Sequence, residues 1–314
     1  MRRFVASRVV WMFVVLFGVS VITFGLGVLA PGDPAEIVVE RRLNQPPPRD
    51  QVEAQRKAMG LDRPLPVQYL KWLADAVRGD LGRSWLKSLP VSDALRQRIP
   101  RTAVLAFTAA VIATLIGVPI GILAATRRNT LVDHICRIGA LLGASLPSYF
   151  IGYVLIFIFA VRLDAVPAFG FGSPGHLALP AITLALGPAA VLTRLTRSAV
   201  LDVLDEDYVR TARAKGVRQW EILFRHVLRN AAVPLLTVAG LSLGHLLGGS
   251  LIVEWVFAWP GMGDLAIGAI QDRDYPLIQG FVLFTALVYV TINFAIDLGY
   301  AWLDARTRVT DRVR

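Results

Sequence analysis

Six stretches of this chain carry no Asp, Glu, Lys or Arg: residues 9–32, 102–126, 138–161, 165–193, 231–253 and 275–296. A helix rises about 1.5 Å per residue, so even the shortest stretch covers a hydrocarbon core ~30 Å thick. The apolar residues, 55% of the chain, are gathered into these blocks instead of being spread as in a soluble core, and the mean hydropathy is +0.55. The expected fold class is an all-α integral membrane protein with six transmembrane helices. The first stretch follows Arg2 and Arg3, as a secretory signal would. A signal core has roughly 7 to 15 apolar residues and ends in small residues. This stretch is longer and lacks an A-x-A pattern near Ala30, so residues 1–32 are expected to remain as an anchor.

Lys and Arg in short loops set the orientation. Arg2, Arg3 and Arg8 precede the first stretch, Arg127 and Arg128 follow the second, eight basic residues lie between Arg194 and Arg229, and Arg306, Arg308, Arg312 and Arg314 close the chain. A six-helix count puts all four groups on one side, with both termini cytoplasmic. The opposite side then holds residues 33–98, where Val67, Tyr69, Leu70, Leu73, Ala74 and Val77 form an apolar helical stripe ending near Gly79. A small external helical cap is expected there. The net charge of +10 is spread over topogenic loops without aromatic interleaving, which argues against nucleic acid as a partner and leaves the lipid bilayer as the surroundings.

The segment YVRTARAKG, Tyr208 to Gly216, is a charged patch between two apolar stretches. Acids at Asp205, Glu206 and Asp207, bases at Arg213 and Lys215, and Gly216 after them predict a short helix that starts and stops inside the loop. From Val217 onward, Trp220, Leu223, Phe224, Val227 and Leu228 follow helical spacing up to Pro234, with Arg218, Arg225 and Arg229 among them. Such a structured loop is a handle for another protein.

Catalytic chemistry is poorly represented. Lys57, Lys71, Lys87 and Lys215 all lack the GxxxxGK context of a phosphate-binding loop, so an ATP site would have to come from another chain. His134, His176, His226 and His245 have no metal-ligand spacing, and the single Cys136 excludes an intrachain disulfide. No cofactor or metal is expected on this chain. Glu254 and Asp297, at the edges of apolar stretches, read equally as interfacial residues with a partner and as pathway residues, whereas Arg194 and Arg197 read as inner-face anchors. Gly and Pro are frequent within the spans, which suits close helix approach or local unwinding.

Several segments together resemble the permease subunits of bacterial ABC importers of the dipeptide, oligopeptide and nickel type. They are PGDP at Pro31, GLDRPLPVQY at Gly60, GDLGRS at Gly79, SLPSYFIG at Ser145, LTRSAVLDVLDEDYVRTARAKG at Leu195, RHVLRNAAVP at Arg225, GGSLIVEWVFAWPGMG at Gly248 and LDARTR at Leu303. The resemblance spans almost the whole chain. It implies a type I ABC importer arrangement, with a first helix over 1–32, a cap over 33–98, a five-helix core over 99–304 and a tail over 305–314. It also implies that a cytosolic loop, 201–230, docks in a groove of an ATPase subunit.

The docking residues so implied are Asp207, Tyr208, Arg210, Thr211, Ala212, Arg213, Ala214, Lys215, Gly216, Trp220 and Glu221. The general importer pattern has Glu-Ala-Ala, then Gly, then Pro; here Thr211, Ala212 and Arg213 fill the triplet, the form of the peptide branch, and Gly216 and Pro234 follow. Ala305 departs from the usual LDPR. Ser145, Pro147, Ser148, Glu254 and Trp255 are the expected translocation-path residues. The implied partners are a second permease, two ATPase subunits that bind ATP and Mg, and an external solute-binding protein. Peptides are the expected cargo. Nickel or a metal chelate is the alternative within the family, and an ion-coupled secondary transporter or a non-transporting scaffold the alternatives outside it.

Overall fold

The computed structural model describes residues 2–29, 31–87, 89–223, 240, 246 and 250–303. The chain divides into two compact units, residues 1–101 with 261–314, and residues 102–260.

In the first unit, helix α1 (Arg2–Leu29) runs antiparallel to the last helix, Tyr275–Leu303. Arg8 pairs with Asp297 at 3.2 Å near one end, and Gly27 abuts Tyr275 and Gln279 near the other. Asp297 is therefore an interfacial ion-pair residue. The PGDP motif folds for local reasons. Gly32 takes a positive φ of 101°, the Asp33 carboxylate accepts the Ala35 amide at 3.0 Å, and Pro34 opens α2 (Pro34–Leu43) at a position that needs no amide hydrogen. Helices α3 (Arg49–Ala58) and α4 (Leu65–Val77) follow and end near Gly60 and Gly79, both at positive φ.

The apolar stripe expected on α4 is divided between two environments. Tyr69 and Trp72 pack on Phe24 of α1, and the Tyr69 hydroxyl lies 2.9 Å from Ser20 Oγ, but Val67, Leu70 and Val77 stay exposed. An edge-on and a tilted aromatic contact, with ring centres 5.4 and 5.8 Å apart, hold the helix by one flank.

The GDLGRS motif makes a tight loop in which the Ser84 hydroxyl donates to the buried Asp274 carboxylate and the Trp85 amide donates to the same group. Below it, Val91 and Leu95 of α5 (Val91–Thr126) pack with Met262, Leu265 and Leu277. Helix α5 belongs to this unit up to Arg101 and to the second from Thr102.

The second unit holds α6 (Leu131–Ser145), α7 (Ser148–Leu155, continuing in a wider turn to Arg162), α8 (Pro174–Leu204), α9 (Asp207–Ala214), a turn α10 (Gln219–Glu221) and α11 (Leu251–Val256). Helix α12 (Met262–Asp272) and the last helix, α13 (Tyr275–Leu303), return the chain to the first unit. Small residues let α5 lie against α8. A Cβ on Gly117 would stand 2.7 Å from the Ala189 carbonyl oxygen, and one on Gly121 2.6 Å from Thr196 Cβ. Around this contact Leu105, Ala109, Leu184, Ala185, Leu192, Val253 and Phe257 form the core.

Among the described residues, four helices are long and apolar enough to cross a membrane: α1, α5, α8 and α13. The stretch 138–161, expected as one span, falls within α6 and α7, which meet at a bend of 105°. Pro147 is the cause, because it forces Leu146 into extended backbone (ψ 134°) and ends α6 at Ser145. The stretch 231–253 lies mostly outside the described residues, as do Pro234, Gly244, His245, Gly248, Gly249 and the tail from 305.

Candidate functional site

Helix α8 runs past the end of its apolar stretch at Thr193 and carries the charged loop on its last turns. Asp205 ends it, and Glu206, in extended backbone, opens α9. An acid in the first turn, Asp207, and a base in the last, Arg213, match the helix dipole. The stop is a six-residue hydrogen-bonded cap. Gly216 N–H donates to the Arg213 carbonyl at 3.0 Å and Val217 N–H to the Ala212 carbonyl at 3.2 Å. This geometry needs left-handed backbone at residue 216, and Gly216 supplies it with φ +76°.

Two residues of α9 face inward. Val209 is fully buried and Ala212 half-buried, one helical turn apart, against Ile122 and Ala125 of α5, Val200 and Leu204 of α8, and Val217 and Ile222 beyond the loop. Asp207, Tyr208, Arg210, Thr211, Arg213, Ala214, Lys215, Gly216 and Trp220 are exposed, and Glu221 is half-buried. The loop is thus a short rigid helix whose apolar face is anchored and whose charged face is open. The amphipathic run that was expected beyond it is described only to Leu223; Phe224, Arg225, Val227, Leu228 and Arg229 lie outside the described residues.

Sequence reasoning missed the clamp behind this loop. Arg197, expected as an inner-face anchor, grips Asp133 with two bonds, Nε to Oδ1 at 2.7 Å and a terminal nitrogen to Oδ2 at 2.8 Å. Asp133 is completely buried and also accepts the Asn129 amide at 3.0 Å. Asn129 sits at φ +61° in the turn joining α5 to α6, and the neighbouring Arg128 reaches Asp205 at 3.3 Å. The α5–α6 turn is therefore tied both to the body of α8 and to the start of the loop. The available signal was an acid shortly before an apolar stretch, a position where a charge needs a partner.

The expected path residues do not converge. Ser148 is half-buried and lines a cavity of about 240 Å³ with Gly143, Ile151, Thr183, Gly187 and Pro188. Ser145, Pro147, Glu254 and Trp255 are not in its wall. Glu254 has no exposed surface, and its Oε1 accepts the hydroxyls of Thr102 at 2.7 Å and Ser250 at 2.9 Å. Trp255 beside it is 49% exposed. Among the described residues no three His, Cys, Asp or Glu side chains stand together as a metal site.

The family model described as binding-protein-dependent transport system inner membrane component matches residues 117–309, and that of its N-terminal part matches residues 1–106. The chain belongs to this family. It is an ABC-importer permease component, a multi-pass protein of the inner membrane, and a transport subunit in a family that works with ATPase and solute-binding partners.

The permease is 40% identical over 321 residues to a protein of Brucella suis biovar 1 whose name assigns it provisionally to the peptide permeases, covering 99% of this chain and 100% of that one. It is also 40% identical over 308 residues to the glutathione transport system permease protein GsiC of Escherichia coli K12, covering 98% and 99%. Its fold matches a solved chain of the inward-facing MetNI methionine ABC transporter with a TM-score of 0.56 at 22% identity, over 67% of this chain and 96% of that one.

Proposed function

We propose that this permease moves di- or oligopeptides inward through the membrane as one subunit of an ATP-driven importer. The observation that carries the cargo class is the 40% identity, over nearly the full length of both chains, to relatives named for peptide and glutathione transport. These names favour peptides over nickel, a metal chelate or an ion-coupled cargo.

On this reading the exposed face of α9, from Asp207 to Lys215, with Gly216, Trp220 and Glu221, is where an ATPase subunit docks. Ala212 positions that face by packing beneath it. Two ATPase subunits bind ATP and Mg, a second permease completes the pathway, and a solute-binding protein delivers cargo on the side of residues 33–98. Both termini are cytoplasmic, as the Arg distribution requires. ATP-driven closure of the ATPase pair pulls α9, and α9 moves α8 with it because their apolar faces share one cluster.

The test is uptake by the complex reconstituted from affinity-purified protein, with mass spectrometry of every retained chain. ATP-dependent accumulation of labelled peptide supports the reading. Uptake that follows an imposed proton gradient without ATP, or an isolated chain without ATPase, overturns it.

A further inference from the structure

The first unit contains a two-part cavity that neither the docking loop nor the expected path uses. The larger part, about 480 Å³, lies between the external end of α1, helices α3 and α4, and the start of α13. The smaller, about 350 Å³, is a groove between Val19–Gly27 of α1 and Tyr275–Val282 of α13. Gly27, Tyr275 and Gln279 line both, so the two adjoin. We propose that this cavity binds a phospholipid with an anionic headgroup, drawn from the leaflet on the cap side.

The charges decide the headgroup. Two carboxylates in the wall of the larger part already have partners: Asp33 holds Arg56, and Asp75 holds Arg78 at 3.6 Å. Three cations of the same wall, Lys57, Arg63 and Lys71, are exposed and have no carboxylate within 4.0 Å among the described residues. Their surplus positive charge faces a chamber large enough for a phosphate and its substituents. Trp72, Trp85 and Tyr275 border it, the aromatic types that favour the headgroup level of a bilayer.

The groove decides that the ligand has a tail. It is lined by apolar side chains such as Val19, Ile22, Leu26, Ile278 and Val282, all on membrane-spanning helices. From Val19 to Gly27 the helix advances about 12 Å, close to the depth of one leaflet's hydrocarbon. A soluble anion would fill the chamber and leave the groove empty, whereas a diacyl lipid fills both. Gly27 lets α1 and α13 meet closely at the wall the two parts share, since a Cβ there would stand 3.1 Å from Gln279 Nε2.

The experiment is native mass spectrometry of the assembled, delipidated importer complex, titrated separately with phosphatidylglycerol, phosphatidylcholine and glycerol 3-phosphate. Three unpaired cations predict retention of phosphatidylglycerol over phosphatidylcholine on the order of a hundredfold. The K57Q/R63Q/K71Q variant should lose that preference, and V282W, which fills the groove, should lose phosphatidylglycerol without a change of charge. Equal retention of the two lipids by the unaltered complex overturns the proposal, whatever the variants do. So does displacement of phosphatidylglycerol by glycerol 3-phosphate at similar concentration, which would make this a soluble-anion site, or undiminished preference in the triple variant.

Discussion

Replacing Arg197 with Ala tests the clamp behind the loop. The substitution strips two charge-assisted bonds, at 2.7 and 2.8 Å, from a carboxylate with no exposed surface, leaving Asp133 with the Asn129 amide. Breaking a buried pair from one side costs about 3 to 5 kcal/mol, because the remaining charge stays desolvated. Part of Arg197 still reaches solvent, with 21% of its side chain exposed, so about 3 kcal/mol is the expected loss. R197K keeps a charge without the planar fork and should lose roughly half as much. The double variant D133A/R197A removes the stranded charge and should recover most of the loss, giving a coupling energy of about 2 kcal/mol or more in a double-mutant cycle. The assay is unfolding in mixed micelles titrated with SDS, paired with transport and ATPase rates of the reconstituted complex. Unfolding of R197A within about 0.5 kcal/mol of the parent, or a double variant as unstable as the sum of the singles, refutes the clamp.

Three further outcomes follow from positions described above. Gly216→Ala should weaken the loop by about 1 to 2 kcal/mol through left-handed strain alone, since nothing stands within 4 Å of the added Cβ, and Gly216→Pro or Ala212→Asp should abolish peptide uptake at normal membrane levels; normal uptake by the latter pair would remove the docking assignment. Gly121→Leu should block assembly or cost about 3 kcal/mol or more because its Cβ alone meets Thr196 at 2.6 Å, while Gly139→Ala, with open space around it, should be neutral by detergent thermal stability. Deleting the cap should impair delivery by the solute-binding protein more than ATPase assembly, measured by peptide uptake and pull-down. The cut must stop before Leu81, because Val91, Ala94 and Leu95 belong to the core of the same unit and a deletion reaching residue 98 would be a folding defect.

What was legible in the sequence is what local chemistry fixes. The Gly216 stop of α9 depends on neighbours within six residues, so charges and a glycine were enough to place it. The 105° turn at Pro147 was not legible in hydropathy, which treats 138–161 as one apolar block although a proline in its middle removes a helix amide and pushes Leu146 into extended backbone. Long-range partners were invisible for a different reason. Asp133 and Arg197 are 64 residues apart and Thr102 and Glu254 are 152 apart, and a charge at the edge of an apolar stretch states that it needs a partner without naming one. Glu254, weighed as a path residue, is fully buried and accepts the hydroxyls of Thr102 and Ser250.

These contacts set a mechanical order on the proposed coupling. Movement imposed on α9 first meets Val209 and Ala212, which share a cluster with the ends of α5 and α8, so the loop cannot shift without carrying those two helices. From α8 the rigid link passes through Arg197 to the start of α6, and α6 ends at the Pro147 bend, where the proline has no amide hydrogen to brace the backbone against a change of angle. A cavity adjoins that bend at Ser148, with Gly187 and Pro188 of α8 on its other wall. If force travels this route, R197K should lower transport more than ATP turnover, because the link slackens while the docking face is untouched. Equal loss of both rates would place Arg197 in folding alone and send the route through α5 instead.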